Sequence, residues 1–262
     1  GGPPPDAGDG EPEPGGGGGL ASTTSTRDAP IVGTCTAMCP DAEVARRTRI
    51  EDISAFERPV RAIAATSPAL AVKKFARNID QAASNFRTRA ALAATQAHLR
   101  SIMDTAAFPL SDVHRFLWDR FRGVRQDCFV QGFTDPAAAA LYEEHVRFMV
   151  LAEHELCELT PQAGEAETFD SHLNLEQVNK ALISLGAMYD EAAAAGRPCP
   201  SEPEFRAYHL LTLAGTHGRY RFDAATFRAA LGGCRPDVLA HPDVRLALRF
   251  AVALAAGDWA AF

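Results

Sequence analysis

The segment SDVHRFLWDRFRGVRQDCFV, residues 111–130, decides the fold class. Its apolar side chains Val113, Leu117, Phe121, Val124 and Cys128 step by four, four, three and four, which places them in one stripe on a helix. Arg115 and Arg122 fall opposite that stripe, and Arg120 and Arg125 flank it. A flanking arginine can lay its stem over apolar surface and offer its guanidinium outward or to a buried carboxylate. Asp119 and Asp127 are candidate partners, so Arg125 and Asp127 are read first as members of a structural ion-pair network and second as part of a surface that binds phosphates or an acidic helix.

Outward from this helix the punctuation repeats. Pro109 stops the preceding helix (87–107), whose Leu92, Leu99, Met103 and Ala106 share a face. Gly132 ends the 111–130 helix. Asp135-Pro136 supplies a cap and a proline at the first helical position, opening a helix that stops before Pro161. Further helices are expected over 174–195 up to Gly196, from the Ser201-Glu202-Pro203-Glu204 signature through 205–214, from Asp223 to Gly232-Gly233, and from Pro242-Asp243 through 256. Upstream, a helix capped by Asp41 over 41–56 and a short one over 69–77 are expected, with an acidic loop at 164–168. Strong helix formers dominate and no stretch alternates with period two, so the chain reads as all-α, a helical hairpin array or α-solenoid.

Composition narrows the functional classes. Of the first 20 residues, 14 are Gly or Pro, so residues 1–30 read as a disordered tail preceding one folded unit at 31–262. The sequence lacks an initiator Met and reads as a fragment or gene-model product. No apolar run approaches a membrane span and no secretion signal is visible. The net charge of −7 hides a gradient: residues 41–125 carry 15 basic and 9 acidic side chains, and residues 126–262 carry 10 and 19. The basic positions Arg46, Arg47, Arg49, Lys73, Lys74, Arg77, Arg115 and Arg122 are therefore candidate contacts for RNA or an acidic partner. Phe56, Phe75 and Phe86 interleave with them, although phenylalanines at such spacing serve more often as core anchors than as stacking platforms.

Catalytic signatures are absent from the sequence. It contains no phosphate-cradling GxxxxGK[ST], no GxGxxG and no nucleophile elbow. Cys35 and Cys39 have a tolerable zinc spacing, but no second pair follows, and they read as loop or core cysteines. Gly215-Thr216-His217-Gly218 matches a GxxG loop, yet without a sheet it reads as a helix terminus. No cofactor is implied.

The block Gly33-Thr34-Cys35-Thr36-Ala37-Met38-Cys39-Pro40, followed by Glu43, Arg46 and Phe56-Glu57, resembles the opening motif of the GANP family, the germinal-centre-associated nuclear protein and its yeast and plant counterparts. Ala71 to Phe75 resembles the next block. Phe116 to Asp127, with Trp118, Arg120, Arg125 and Asp127, resembles the family's most recognisable helix. Glu204 to Tyr208 and Gly257-Asp258-Trp259 follow in order. The resemblance implies a PCI-like α-solenoid acting as a nuclear scaffold in transcription-coupled messenger-RNA export, in a TREX-type complex at the nuclear pore. It further implies pairing with a second PCI-domain protein, contribution to RNA binding, indirect contact with pore components, no membrane insertion and no catalysis. The chain stops near where the family continues into a winged helix. A PCI scaffold subunit of another assembly, such as a proteasome lid, signalosome or initiation factor, is the alternative, and a helical-domain enzyme is a third.

Overall fold

The computed structural model describes residues 30–58, 70–104, 107–158, 169–215, 223–258 and 260. The expected tail, the acidic loop at 164–168, Ala106 and positions 216–218 of the GxxG loop lie outside them. Among the described residues the secondary structure is helical, with one isolated bridge between Cys35 and Arg87 and no strand. The helices are α1 (Asp41–Arg49), α2 (Arg89–Met103), α3 (Leu110–Val130), α4 (Pro136–Leu156), α5 (Ser171–Ala194), α6 (Glu202–Ala214), α7 (Ala224–Gly232), α8 (Pro236–Leu239) and α9 (Pro242–Ala256).

Local chemistry explains the starts. Asp135 accepts from the Ala137 and Ala138 N–H groups with Pro136 at the first position, and Asp223 accepts from Ala225 N–H. Thr88 and Asp170 do the same for α2 and α5. Each cap satisfies a donor the helix itself leaves unpaired and contributes about 1 kcal/mol.

Successive helices from α2 to α6 pack on one another, and α9 lies along α6. The five stripe residues of α3 are all buried, none more than 2% exposed. They join Leu92, Leu99, Val146, Met149, Leu185, Tyr189 and Phe205 in one apolar cluster. Burial of each such large side chain contributes about 1.5–3 kcal/mol. A second cluster holds Ala207, Leu210, Ala214, Phe227, Val238, Val244, Ala247 and Ala251. α6 thus supplies side chains to both. Buried Glu202 at its start accepts from Arg206 Nε at 3.1 Å and from Arg235 NH1 at 2.6 Å.

Two upstream expectations are corrected. The first helix ends at Arg49 rather than near Phe56, and Pro40, not Asp41, occupies its cap position. Glu51 then adopts φ +57°, turning the chain so that a separate 3-10 turn, Ala55–Glu57, can double back. Residues 71–76 are extended rather than helical. Their backbone donors go to remote acceptors: Val72 N to Glu57 Oε1 (3.0 Å), Lys73 N to Met38 O (3.0 Å) and Lys74 N to Glu43 Oε1 (2.9 Å). Side chains and loop carbonyls outcompete the helical ladder there.

This extended segment crosses α3 at Gly123, where an added Cβ would sit 3.0 Å from Lys73 O. At Gly33 a Cβ would come within 2.5 Å of Phe86 O. The approach at Gly33 leaves no room for a side chain, and that at Gly123 leaves a methyl only a tight fit.

Candidate functional site

The N-terminal layer, residues 30–58 and 70–88, is fastened to α3 by buried charge. Asp127 is fully buried on α3. Its Oδ1 accepts from Lys73 Nζ at 2.5 Å, and its Oδ2 from Arg87 Nε at 2.7 Å and Arg87 N at 3.2 Å. Lys73 Nζ also donates to Asn85 O at 2.5 Å and stands over the Phe86 ring. Burial pulls the Lys73 ammonium below its ordinary value, against the opposing pull of Asp127.

A second centre forms on Glu57, also fully buried. Its carboxylate accepts from Arg47, from Arg120 NH2 at 3.1 Å and from Val72 N, and it closes a capping box with Ser54. Arg47 further donates to Val72 O at 3.0 Å and Asp52 O at 3.1 Å, and Arg120 to Asp119 Oδ2 at 2.6 Å. Burial pushes the Glu57 carboxyl up, but Arg120, the Arg47 hydrogen bond and the Val72 N–H together hold it below the usual carboxylate range. Pairs of this kind give little net stability, yet removing one partner strands the other.

These centres correct part of the expected cationic surface. Arg47 and Lys73 are 0% and 1% exposed and committed to carboxylates, so neither presents charge to a ligand. Arg46 and Arg49 on α1, Arg77 and Arg115 are exposed. Arg115 pairs with Asp112 at 2.7 Å, and half-buried Lys74 lies 3.0 Å from Asp52. Arg122 is half-buried, with its guanidinium 3.9 Å from the Phe75 ring centroid and 4.5 Å from that of Trp118. The basic positions thus differ in availability: Arg46, Arg49, Arg77 and Arg115 are exposed, Lys74 and Arg122 half-buried, and Arg47 and Lys73 buried.

The motif residues make contacts within the chain. Met38 O receives Lys73 N, and Pro40 caps α1. Cys39 is buried, and burial pushes its thiol up to about 12, while half-buried Cys35 donates from Sγ to Ala37 O. Phe56 packs against Phe108 and Phe116. Arg125 does not enter the ion network: its NH1 donates to Gln177 O at 3.1 Å and its NH2 to Gln177 Oε1 at 2.8 Å. Among the described residues no group of three metal-ligating side chains comes together.

Sequence reasoning does not find Arg87. The signal for it is Asp127 itself, a carboxylate one position from Cys128 on the apolar face, which demands buried cations from elsewhere in the chain. Nor does it find Gln131, whose Oε1 receives Gly33 N at 2.8 Å and whose Nε2 donates to Arg87 O at 2.9 Å.

Known proteins share this arrangement of sequence. The SAC3/GANP family model matches residues 38–262. The SAC3 family protein B of Arabidopsis thaliana is 35% identical over 236 residues, covering 88% of this chain and 14% of that protein. The SAC3 family protein 1 of Schizosaccharomyces pombe is 32% identical over 69% of this chain and 17% of its own length. Protein xmas of Drosophila melanogaster is 30% identical over 85% and 10%. The chain therefore spans less than a fifth of each of these relatives. The stretch matched by the family model contains both buried charge centres, and because that match spans most of the chain, the chain belongs to the SAC3/GANP family.

Proposed function

We propose that this chain is a nuclear, non-catalytic scaffold segment of a transcription-coupled messenger-RNA export complex of the TREX type. Membership of a messenger-RNA-export family across residues 38–262 carries this reading. The helical array is of the PCI-like solenoid type, and a second PCI-domain protein pairs with it. Pore components are reached through that complex. Exposed Arg46, Arg49, Arg77 and Arg115 add sequence-independent attraction for RNA phosphates.

The physical support is the placement of charge. Buried ion pairs lock the N-terminal layer into one arrangement, giving a rigid surface on which partners can seat. Affinity purification of the full chain from nuclear extract, followed by mass spectrometry, tests the reading. Recovery of a PCI-domain subunit together with pore components supports it. Recovery of proteasome-lid, signalosome or initiation-factor subunits instead overturns it.

A further inference from the structure

Five arginines are buried among the described residues: Arg47, Arg87, Arg120, Arg125 and Arg206. Four of them reach a carboxylate, on Glu57, Asp127, Glu57 and Glu202 respectively. Arg125 does not. It is 9% exposed, and its hydrogen-bond partners are the backbone and side-chain oxygens of Gln177. A guanidinium has five N–H donors and retains its charge in proteins. A buried, uncompensated cation costs stability unless another interaction offsets it.

Arg125 borders a groove of about 340 Å³ between α3, α5 and the extended segment at Phe75. Arg122 lines the same groove, has no carboxylate within 4.0 Å among the described residues, and stands over the Phe75 and Trp118 rings. Lys180 stands on the opposite wall, paired with Glu176 one turn earlier on α5. At the lip lies Phe129, 83% exposed, an aromatic ring near the C-terminal end of a helix whose other face is core. Burial pulls Arg125 down to about 10, with neighbouring Arg122 pulling the same way, and burial lowers Arg122 too. Both cations would therefore gain from an anion.

The shape selects among anions. The two guanidiniums are recessed, so a carboxylate on a side-chain stem can reach them and be gripped by two parallel hydrogen bonds. A nucleic-acid strand needs exposed cations along its backbone and successive aromatic platforms. Here one ring is open, and the Phe75 face is already occupied by Arg122. We propose that this groove is a docking site for an acidic–apolar segment of a partner protein, with an Asp or Glu carboxylate seated on Arg125 and Arg122 and an adjacent apolar side chain laid on Phe129.

The test uses the full chain and a fluorescein-labelled peptide array in which Asp or Glu stands at varied spacing from Leu, Phe or Trp, with a matched array bearing Lys. Binding of acidic members, absent from the Lys array and weakened about tenfold by Phe129→Ala, supports the site. Arg125→Met keeps volume and removes the charge, so it should abolish binding while the melting temperature stays or rises. A clear fall in melting temperature with Arg125→Met, and affinity unmoved by Phe129→Ala, makes Arg125 a purely structural residue and overturns the proposal. So does equal binding of both arrays, no binding of either, or capture of oligouridine instead of peptide with sensitivity to the same two substitutions.

Discussion

Arg87 Nε stands 2.7 Å from Asp127 Oδ2, with both side chains fully buried and the two residues 40 positions apart in the chain. Lys73 reaches the other oxygen of the same carboxylate. One anion thus answers two cations from two separate stretches of the N-terminal layer. Asp127→Asn should cost about 3–5 kcal/mol, because it leaves two buried positive charges facing a neutral amide. Urea unfolding followed by circular dichroism measures this. A loss under about 1 kcal/mol, the range of surface pairs, would show that the carboxylate is not holding the layer down.

Glu57 makes the fold sensitive to acid. Its carboxyl titrates below its ordinary range when folded, so the ionised form stabilises the native state. That contribution is complete above the unfolded-chain value of about 4.3 and disappears as pH falls through the lower folded value. Glu57→Gln should therefore be destabilised at neutral pH, and its deficit against the parent should shrink in acid. Melting curves taken from neutral pH into strong acid check the convergence; parallel curves would contradict it.

Close backbone approach predicts opposite outcomes at two glycines. Gly33→Ala would place a methyl 2.5 Å from Phe86 O and 2.7 Å from Gln131 Oε1, and should cost about 1–3 kcal/mol. Gly232→Ala meets nothing within 4 Å on α7 and should be neutral, or stabilise by up to about 1 kcal/mol. Thermal melts of the two single variants side by side decide this.

RNA attraction should follow exposure rather than sequence position. Replacing Arg46, Arg49, Arg77 and Arg115 with Glu should weaken single-stranded RNA binding and flatten its salt dependence by about 0.7 for each phosphate no longer neutralised. Arg47→Glu and Lys73→Glu should instead destabilise the fold, since each puts a second anion beside a buried carboxylate. Filter binding across a salt series, alongside melting temperatures, separates the two groups. An unchanged salt slope for the exposed set would remove these arginines from RNA binding.

What was legible in the sequence had short-range causes. The α3 stripe follows from side-chain periodicity alone, and the starts of α4, α7 and α9 from a capping Asp or a Pro within a residue or two of the boundary. Residues 71–76 resisted because their conformation is set by acceptors at Met38, Glu43 and Glu57, which no local window contains. The same holds for the charges. Arg120 and Asp127 lie seven residues apart on α3; Arg120 pairs with its α3 neighbour Asp119 and also reaches Glu57, while Asp127 takes both its cations from the N-terminal layer, so helical-wheel geometry located the ions and only part of their pairings. The extended run 71–76 also explains why a cluster that looked cationic, Lys73-Lys74 with Arg77, splits into one buried, one half-buried and one exposed side chain.

α6 gives Phe205 to one apolar cluster and Ala207, Leu210 and Ala214 to the other. The two clusters therefore share a single 13-residue helix as a common wall. Strain applied at α9 is handed through α6 to α5 as through a shared wall, and amides on both sides of that wall should lose exchange protection in one step. The described helices from α5 to α9 should then melt as one cooperative unit.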